Sequence, residues 1–332
     1  MPKVVAIIVH PGGAALLARA VESLLASPGV DLDVVIVANA CNEELPVSVT
    51  ALERVHIVRS RRAIGFSAAN NLGARWARGH LAPADYVYFI NNDTRSEPDA
   101  LRRLVRALEE EDGATIAGPR LMILGAPGYL NSLGLNVTAT GEAWDEGIGR
   151  ELVDGAPLPA RRDVLAVTGA ALLISAAELA RLGGWEELYG FYFEDIDLCL
   201  RARSHGSRVV VDADAVVHHA ISATAVRASD FKIQLSWRNR FLLLLARWPW
   251  PTLLAVTPKL AATQLLLLAR RWRGGHRHDA RLQLRAWGGV LKRLGPVLGA
   301  RRGGGPRSEW RRELRPHGSV PAIELPPIDP AA

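Results

Sequence analysis

The first 120 residues alternate uninterrupted Val- and Ile-rich runs with stretches whose apolar residues recur at helical spacing. "VVAIIV" (4–9), "DVVIVA" (33–38), "RVHIV" (54–58) and "DYVYFI" (85–90) read as buried strands. Between them, "GAALLARAVESLLAS", "SAANNLGARWARG" and "DALRRLVRALEEED" read as helices. The first is closed by "PGV", the second ends at Gly79, and Pro98 and Asp99 suit the first turn of the third. Strand–helix alternation of this kind implies right-handed crossovers and a twisted, largely parallel sheet covered on both faces.

From about residue 120 the pattern loosens into Gly- and turn-rich sequence that reads as irregular or antiparallel. Residues 164–175 resume a strand, "AAELARLGG" a short helix, and 208–219 another strand. Charge marks a further division. Residues 231–332 carry 19 Lys and Arg against 5 Asp and Glu, a net of +14, whereas residues 1–230 carry −8. The expected organisation is an α/β body over 1–230, a basic helical extension over 231–305 and a Pro-rich, disordered tail over 306–332. Cys41 and Cys199 are the only cysteines, too few for a disulfide framework, which fits a reducing cytoplasm. The opening stretch has one lysine and reads as a strand rather than a secretion signal.

Three stretches carry chemistry. In "YVYFINNDT" a strand delivers Asn91, Asn92 and Asp93 to its carboxyl end, where open α/β sheets bind ligands. A carboxylate there suits a divalent cation bridging a diphosphate, although Asn and Asp also cap ordinary turns. In "GFYFEDIDLCLRAR" three carboxylates, Glu194, Asp195 and Asp197, follow an aromatic run. Acids in a first helical turn are favoured by the macrodipole, which accounts for one or two of them. A carboxylate in an apolar wall, held ionised by N–H donors, is suited to taking a proton from a hydroxyl. In "DADAVVHHAISAT", His218 and His219 fall on opposite faces of a strand, so at most one looks into a site there.

Together these stretches, with "VTGAALLI" and "GGWEELYGFYFEDIDLCLR" in the same order, resemble the family 2 glycosyltransferases of the GT-A fold, most closely the bacterial rhamnosyltransferase-like branch. The resemblance covers residues 3 to about 225. It implies a mixed sheet flanked by helices, a nucleotide-sugar donor, Mg²⁺ or Mn²⁺, and inversion at the anomeric carbon by direct displacement. Carried over, Asp93 meets the metal and the diphosphate, Asp195 is the general base, and His219 is the second metal ligand, counted back from Thr224. Asn92, Thr168 and Gly169 border the donor, while Trp185, Tyr192 and Glu194 fall in the aromatic–acidic substrate wall. Asp197 is expected to hold Arg201 at i+4. The sequence departs from the pattern in the nucleotide subsite. The first strand ends in "HPGG", Ala38 replaces an acid and leaves Asn39 as the nearest polar group, and Ala63 replaces an asparagine. His10 and Asn39 are the nucleotide-side candidates that remain. No G-x-G-x-x-G follows the first strand, so a dinucleotide site is excluded.

In the extension, Leu runs mix with Trp and Arg, and Arg247 and Lys259 interrupt any apolar stretch long enough to span a bilayer. Trp248, Trp250 and the leucines at 242–245 are expected to insert into an anionic membrane surface at the cytoplasmic face, presenting the site to a glycan or lipid-linked acceptor. Alternatively these helices pack on the body or pair two copies of the chain. Nucleic acid is not expected, because the Leu runs would go unused. The rival to an enzyme is a non-catalytic, membrane-associated scaffold with a decayed nucleotide site.

Overall fold

Both faces of β1 (Lys3–His10) are buried, so its side chains divide between two cores. Val5, Ile7 and Val9 pack toward one, and Val4, Ala6 and Ile8 toward the other. A computed structural model describes residues 1–152, 158–221, 229–301 and 309–329. After β1 come α1 (Ala14–Leu25), β2 (Asp31–Asn39), α2 (Val47–Thr50), β3 (Val55–Ser60), α3 (Phe66–His80) and β4 (Tyr86–Ile90). The strands β3, β2, β1 and β4 pair in parallel in that order. Next are β5 (Thr94–Ser96), α4 (Ala100–Glu110), β6 (Ala114–Ile123), β7 (Leu130–Ser132), β8 (Leu135–Val137), β9 (Ala143–Asp145) and β10 (Arg161–Asp163). They are followed by β11 (Ala171–Ser175), α5 (Ala176–Leu182), α6 (Glu194–Ser204) and β12 (Arg208–His219).

The main sheet runs β10-β12-β6-β11-β4-β1-β2-β3, with β11 antiparallel to both neighbours. The architecture is therefore α/β with a mixed sheet flanked by helices. Leu17, Val21, Leu101 and Leu104 from α1 and α4 fill one core, while Ala69 and Ala77 of α3 join residues of α6 in the other. The strand expected over 164–175 begins only at Ala171. Thr168 and Gly169 turn instead, and the Gly169 N–H goes to a side chain rather than to a neighbouring strand.

Beyond residue 229 lie α7 (Asp230–Arg247), α8 (Trp250–Arg273), α9 (Arg277–Leu291) and α10 (Leu294–Arg301). Here the structure corrects the insertion reading for α7. Leu242 and Leu243 are fully buried, Leu244 nearly so, and Trp248 is enclosed, its Nε1 donating to the Ala139 carbonyl at 3.0 Å. These side chains complete the body's core. An apolar run ending in Trp has the same composition whether it meets protein or lipid. In contrast, α8 buries only Leu253 along its length and exposes Trp250, Leu254, Leu265, Leu266 and Trp272. By length and composition it is apolar enough to cross a membrane, despite Lys259. Part of the tail also docks: Trp310 is buried edge-on against Trp248, and the Arg315 N–H donates to the Val137 carbonyl.

One buried ion pair joins α7 to the body. Asp197, fully buried, accepts from Tyr189 Oη at 2.8 Å, Arg201 Nε at 2.7 Å and Arg247 Nε at 2.5 Å. Burial opposes its charge, but the two guanidiniums more than offset this and hold the carboxyl below its ordinary range. Arg247→Ala leaves that carboxylate short of one cation in a dry site. The expected loss is about 3–5 kcal/mol of unfolding free energy, read from urea melts.

Candidate active site

The carboxyl ends of β1, β4 and β12 and the amino end of α6 meet at one edge of the sheet. After β4, the Asn91 N–H donates to the Ala170 carbonyl and Thr94 Oγ1 to the Asn91 carbonyl, which turns Asp93 inward. Asp93 Oδ1 is buried and accepts no hydrogen bond, and it lies 3.4 Å from His219 Nε2. His219 is oriented from behind. Its Nδ1 lies 2.7 Å from Asn131 Oδ1, a carbonyl oxygen that only accepts, so Nδ1 carries the proton and Nε2 faces Asp93. Burial alone lowers the His219 pKa, but the adjacent Asp93 carboxylate, with Asp145 beyond it, raises it overall. A buried carboxylate oxygen without a donor, beside an imidazole nitrogen fixed by its other side, is a donor set that fits a divalent cation. His218 lies on the other face of β12, paired with Glu97 at 3.0 Å. Thr224 lies outside the described residues.

The three acids of α6 have three different environments. Asp197 is buried in the ion pair just described. Glu194 is 6% exposed, and its Oε2 is buried with no partner. Asp195 is the one partly open to solvent. Its Oδ2 accepts from the Gly169 N–H at 3.0 Å and its Oδ1 from the Ile196 N–H at 2.8 Å. Burial pushes both Glu194 and Asp195 upward, and each raises the other's cost of ionising. N–H donors pull both back, with the Thr168 hydroxyl adding to those on Asp195; Glu194 is left raised to about 8, so it is the member that holds a proton and Asp195 the one more readily ionised.

The turn before these acids is held from outside the sheet. Tyr192 and Phe193 both adopt the left-handed region, with φ of 68° and 76°, which is costly for aromatic residues. Asn239 of α7 is fully buried, and its Nδ2 donates to the carbonyls of Tyr189, Phe191 and Tyr192 at 3.0, 2.6 and 2.8 Å. Gly190 also comes so near Gly65 that a Cβ on Gly65 would meet its Cα at 2.8 Å. Phe191 and Tyr192 therefore stay half exposed at the mouth. Trp185 is enclosed and sits beneath Gly169, edge-on to Phe89 and Phe66. Thr168 is half-buried beside Asp195, which its hydroxyl helps to keep ionised.

At the carboxyl end of β1, His10 is fully buried and Asn92 Nδ2 bridges His10 Nδ1 at 3.1 Å and the Gly12 carbonyl at 2.8 Å. Burial lowers the His10 pKa, which keeps the ring neutral. Asn39 is turned to a loop, with both ends of its amide bonded to the Ile64 backbone at 2.7 and 2.9 Å.

Three residues of this site were missed in the sequence. Asp145, on β9, lies within electrostatic reach of Asp195 and His219; burial, with the charge of Asp195 adding to it, pushes its carboxyl up to about 6. Asn131, which orients His219, lies with Asp145 in the Gly-rich segment, where no periodicity singles out either. Asn239 lies between Arg238 and Arg240, just before the Leu run of the extension, where nothing in the residue pattern singles it out.

A family model described as "Glycosyltransferase like family 2" matches residues 2–241. Similar curated proteins include one of Sinorhizobium fredii, 29% identical over 203 residues, covering 59% of this chain and 21% of the relative. The low-salt glycan biosynthesis hexosyltransferase of Haloferax volcanii is 26% identical over 217 residues, 63% of this chain and 66% of its own. The dTDP-rhamnosyl transferase of Shigella flexneri is 24% identical over 221 residues, 64% and 70% respectively. The chain thus spans less than two thirds of the length of the first two. Among solved structures, GalNAc-T7 with UDP, GalNAc and Mn²⁺ superposes with a TM-score of 0.60 at 13% identity, over 75% of this chain and 48% of that one. A mannosyltransferase of Pyrobaculum calidifontis with GDP-Man and Mn²⁺ gives 0.50 at 15%, over 88% and 87%. Both share the GT-A fold. Because the family match runs from β1 into α7 and takes in every strand of the sheet, the chain belongs to glycosyltransferase family 2.

Proposed function

We propose that this protein transfers a hexose, with a deoxyhexose such as rhamnose the leading candidate, from a nucleotide-sugar to a hydroxyl of a lipid-linked or polysaccharide acceptor, with inversion. The observation that carries the reading is the sorting of the α6 acids. Asp195 alone is both stabilised by N–H donors and open to an incoming hydroxyl, on the sheet edge that holds Asp93 and His219. Asp93 and His219 would hold Mg²⁺ or Mn²⁺, which when bound neutralises the departing diphosphate. His10 and Asn92 border the nucleotide, with Asn39 behind them holding the loop at Ile64. Thr168 and Gly169 border the donor sugar, with Trp185 supporting Gly169 from below. Tyr192 floors the acceptor side, Glu194 keeps the shared proton, and Asp195 takes the proton of the attacking hydroxyl as the new bond forms.

The body with α7, residues 1–248, would be the catalytic unit. The basic helices after it would rest on the inner face of the plasma membrane, where anionic lipid attracts them. The alternative, a scaffold with a decayed nucleotide site, draws support from Ala38, Ala63 and the engagement of Asn39 with Ile64. Calorimetric titration of a panel of nucleoside diphosphates and their sugars with Mn²⁺ separates the two. One nucleotide series is expected to bind and its sugar form to release the diphosphate on turnover; binding of none leaves the scaffold.

A further inference from the structure

The helices α7, α8 and α9 enclose a groove of about 470 Å³, within the range of sites that take a small ligand. Its walls include Phe241 and Leu245 of α7, Val256 and Leu260 of α8, and Trp287 and Val290 of α9. The two polar residues on the wall are already engaged. Thr257 Oγ1 donates to the Leu253 carbonyl at 2.6 Å, and the backbone and side-chain oxygens of Gln264 each accept from Gln283 Nε2 at 3.0 Å. The groove thus offers an occupant almost nothing but carbon, which disfavours a peptide, whose buried amides would go unpaired.

The helices around the groove are strongly basic. Over residues 250–293 nine Lys and Arg face a single acid, Asp279. Lys259, one residue before a wall position, and Lys292, directly after Leu291, are exposed and have no carboxylate partner among the described residues. An apolar trough between helices that carry exposed, unneutralised lysines matches an amphiphile with a hydrocarbon chain and an anionic head. A second copy of the chain matches it poorly, since two-fold pairing brings like-charged helices together. The wall helix α7 also holds, through Asn239, the turn that precedes Asp195. The groove and the acceptor-facing turn therefore share one helix.

We propose that this groove binds the hydrocarbon chain of a phosphate-bearing lipid acceptor, with its phosphate at Lys259 and Lys292. The inference rests on the reading that the acceptor is lipid-linked. The probe is farnesyl phosphate carrying a benzophenone, photo-crosslinked to the full-length protein and mapped by mass spectrometry. Label is expected on groove residues between 241 and 291, displaced by unlabelled farnesyl phosphate but not by phosphatidylglycerol at equal phosphate. Val256→Trp and Leu260→Trp, which fill the trough, are each expected to lose the label while still sedimenting with phosphatidylglycerol vesicles. Label confined to the outward residues Trp250 and Leu254, or equal displacement by phosphatidylglycerol, overturns the proposal, as does a stable dimer in solution that excludes the probe. Turnover with a water-soluble acceptor sugar is measured in parallel. In the unsubstituted protein, absence of label with turnover intact overturns the groove alone; label with no turnover overturns the transferase reading and leaves the groove standing.

Discussion

Asp195→Asn will lower sugar transfer by at least ~10²-fold, the usual worth of a positioned base, while donor and metal binding persist. The amide is nearly isosteric, so one of the Gly169 and Ile196 N–H groups keeps an oxygen to bond while the other loses its acceptor, and the amide cannot accept a proton at neutral pH. Glu194→Gln is the control. If Glu194 already holds the shared proton, its amide mimics the working state and costs far less. The pH profile gives a second reading. Base catalysis needs ionised Asp195, and burial has raised its pKa, so the rate will fall on acidification at a pH above the ordinary carboxylate range. Near-normal turnover by Asp195→Asn transfers the base role to a neighbour and ends this assignment.

The second large effect is on the metal. Asp93→Ala and His219→Ala will each weaken Mn²⁺-dependent donor binding by ~10²-fold or more, since losing even an outer-shell partner costs roughly 10- to 100-fold. Asn131→Ala, which frees the His219 ring without removing a ligand, falls at the lower end of that range. His218→Ala changes nothing, because that ring pairs with Glu97 on the opposite face. Calorimetry with nucleotide and Mn²⁺ reads all four. A sensitive His218, or activity indifferent to chelator, would remove the metal assignment.

Much of this site was legible because its parts sit on regular elements. β1 and β4 read as strands from their unbroken apolar runs, so the positions of His10 and Asp93 at their ends followed. The alternation along β12 separated His219 from His218. The α6 acids stood out because they follow aromatic residues, but their division of labour depends on Gly169, Arg201 and Arg247, which arrive from three different places in the chain. Thr168 and Gly169 were read as strand because Val- and Ala-rich sequence surrounds them, whereas the N–H that turns toward Asp195 leaves no trace in residue type. Asp145 and Asn131 were illegible for a related reason: between residues 124 and 152 the three-residue strands are tied together by hydrogen bonds between their flanking turns, such as Glu146 N–H to the Gly134 carbonyl, which impose no periodicity.

The joint between α7 and the body bears on how such chains exchange parts. With Asn239 holding three carbonyls of the acceptor turn, Arg247 neutralising Asp197 and Trp248 closing the core, the natural seam lies between Trp248 and α8 rather than at the change in charge near residue 230. Recombination at the charge boundary would separate α6 from the groups that shape it, and the hybrid would inherit the turn over residues 189–193 with nothing to hold it. A crossover just past Trp248 would keep Asn239, Arg247 and Trp248 with the body, while a residue able to pack on Trp248 as Trp310 does would have to come with the new segment. Diversification of the surface-facing helices can therefore proceed on its own, whereas α7 is bound to change in step with residues 189–197.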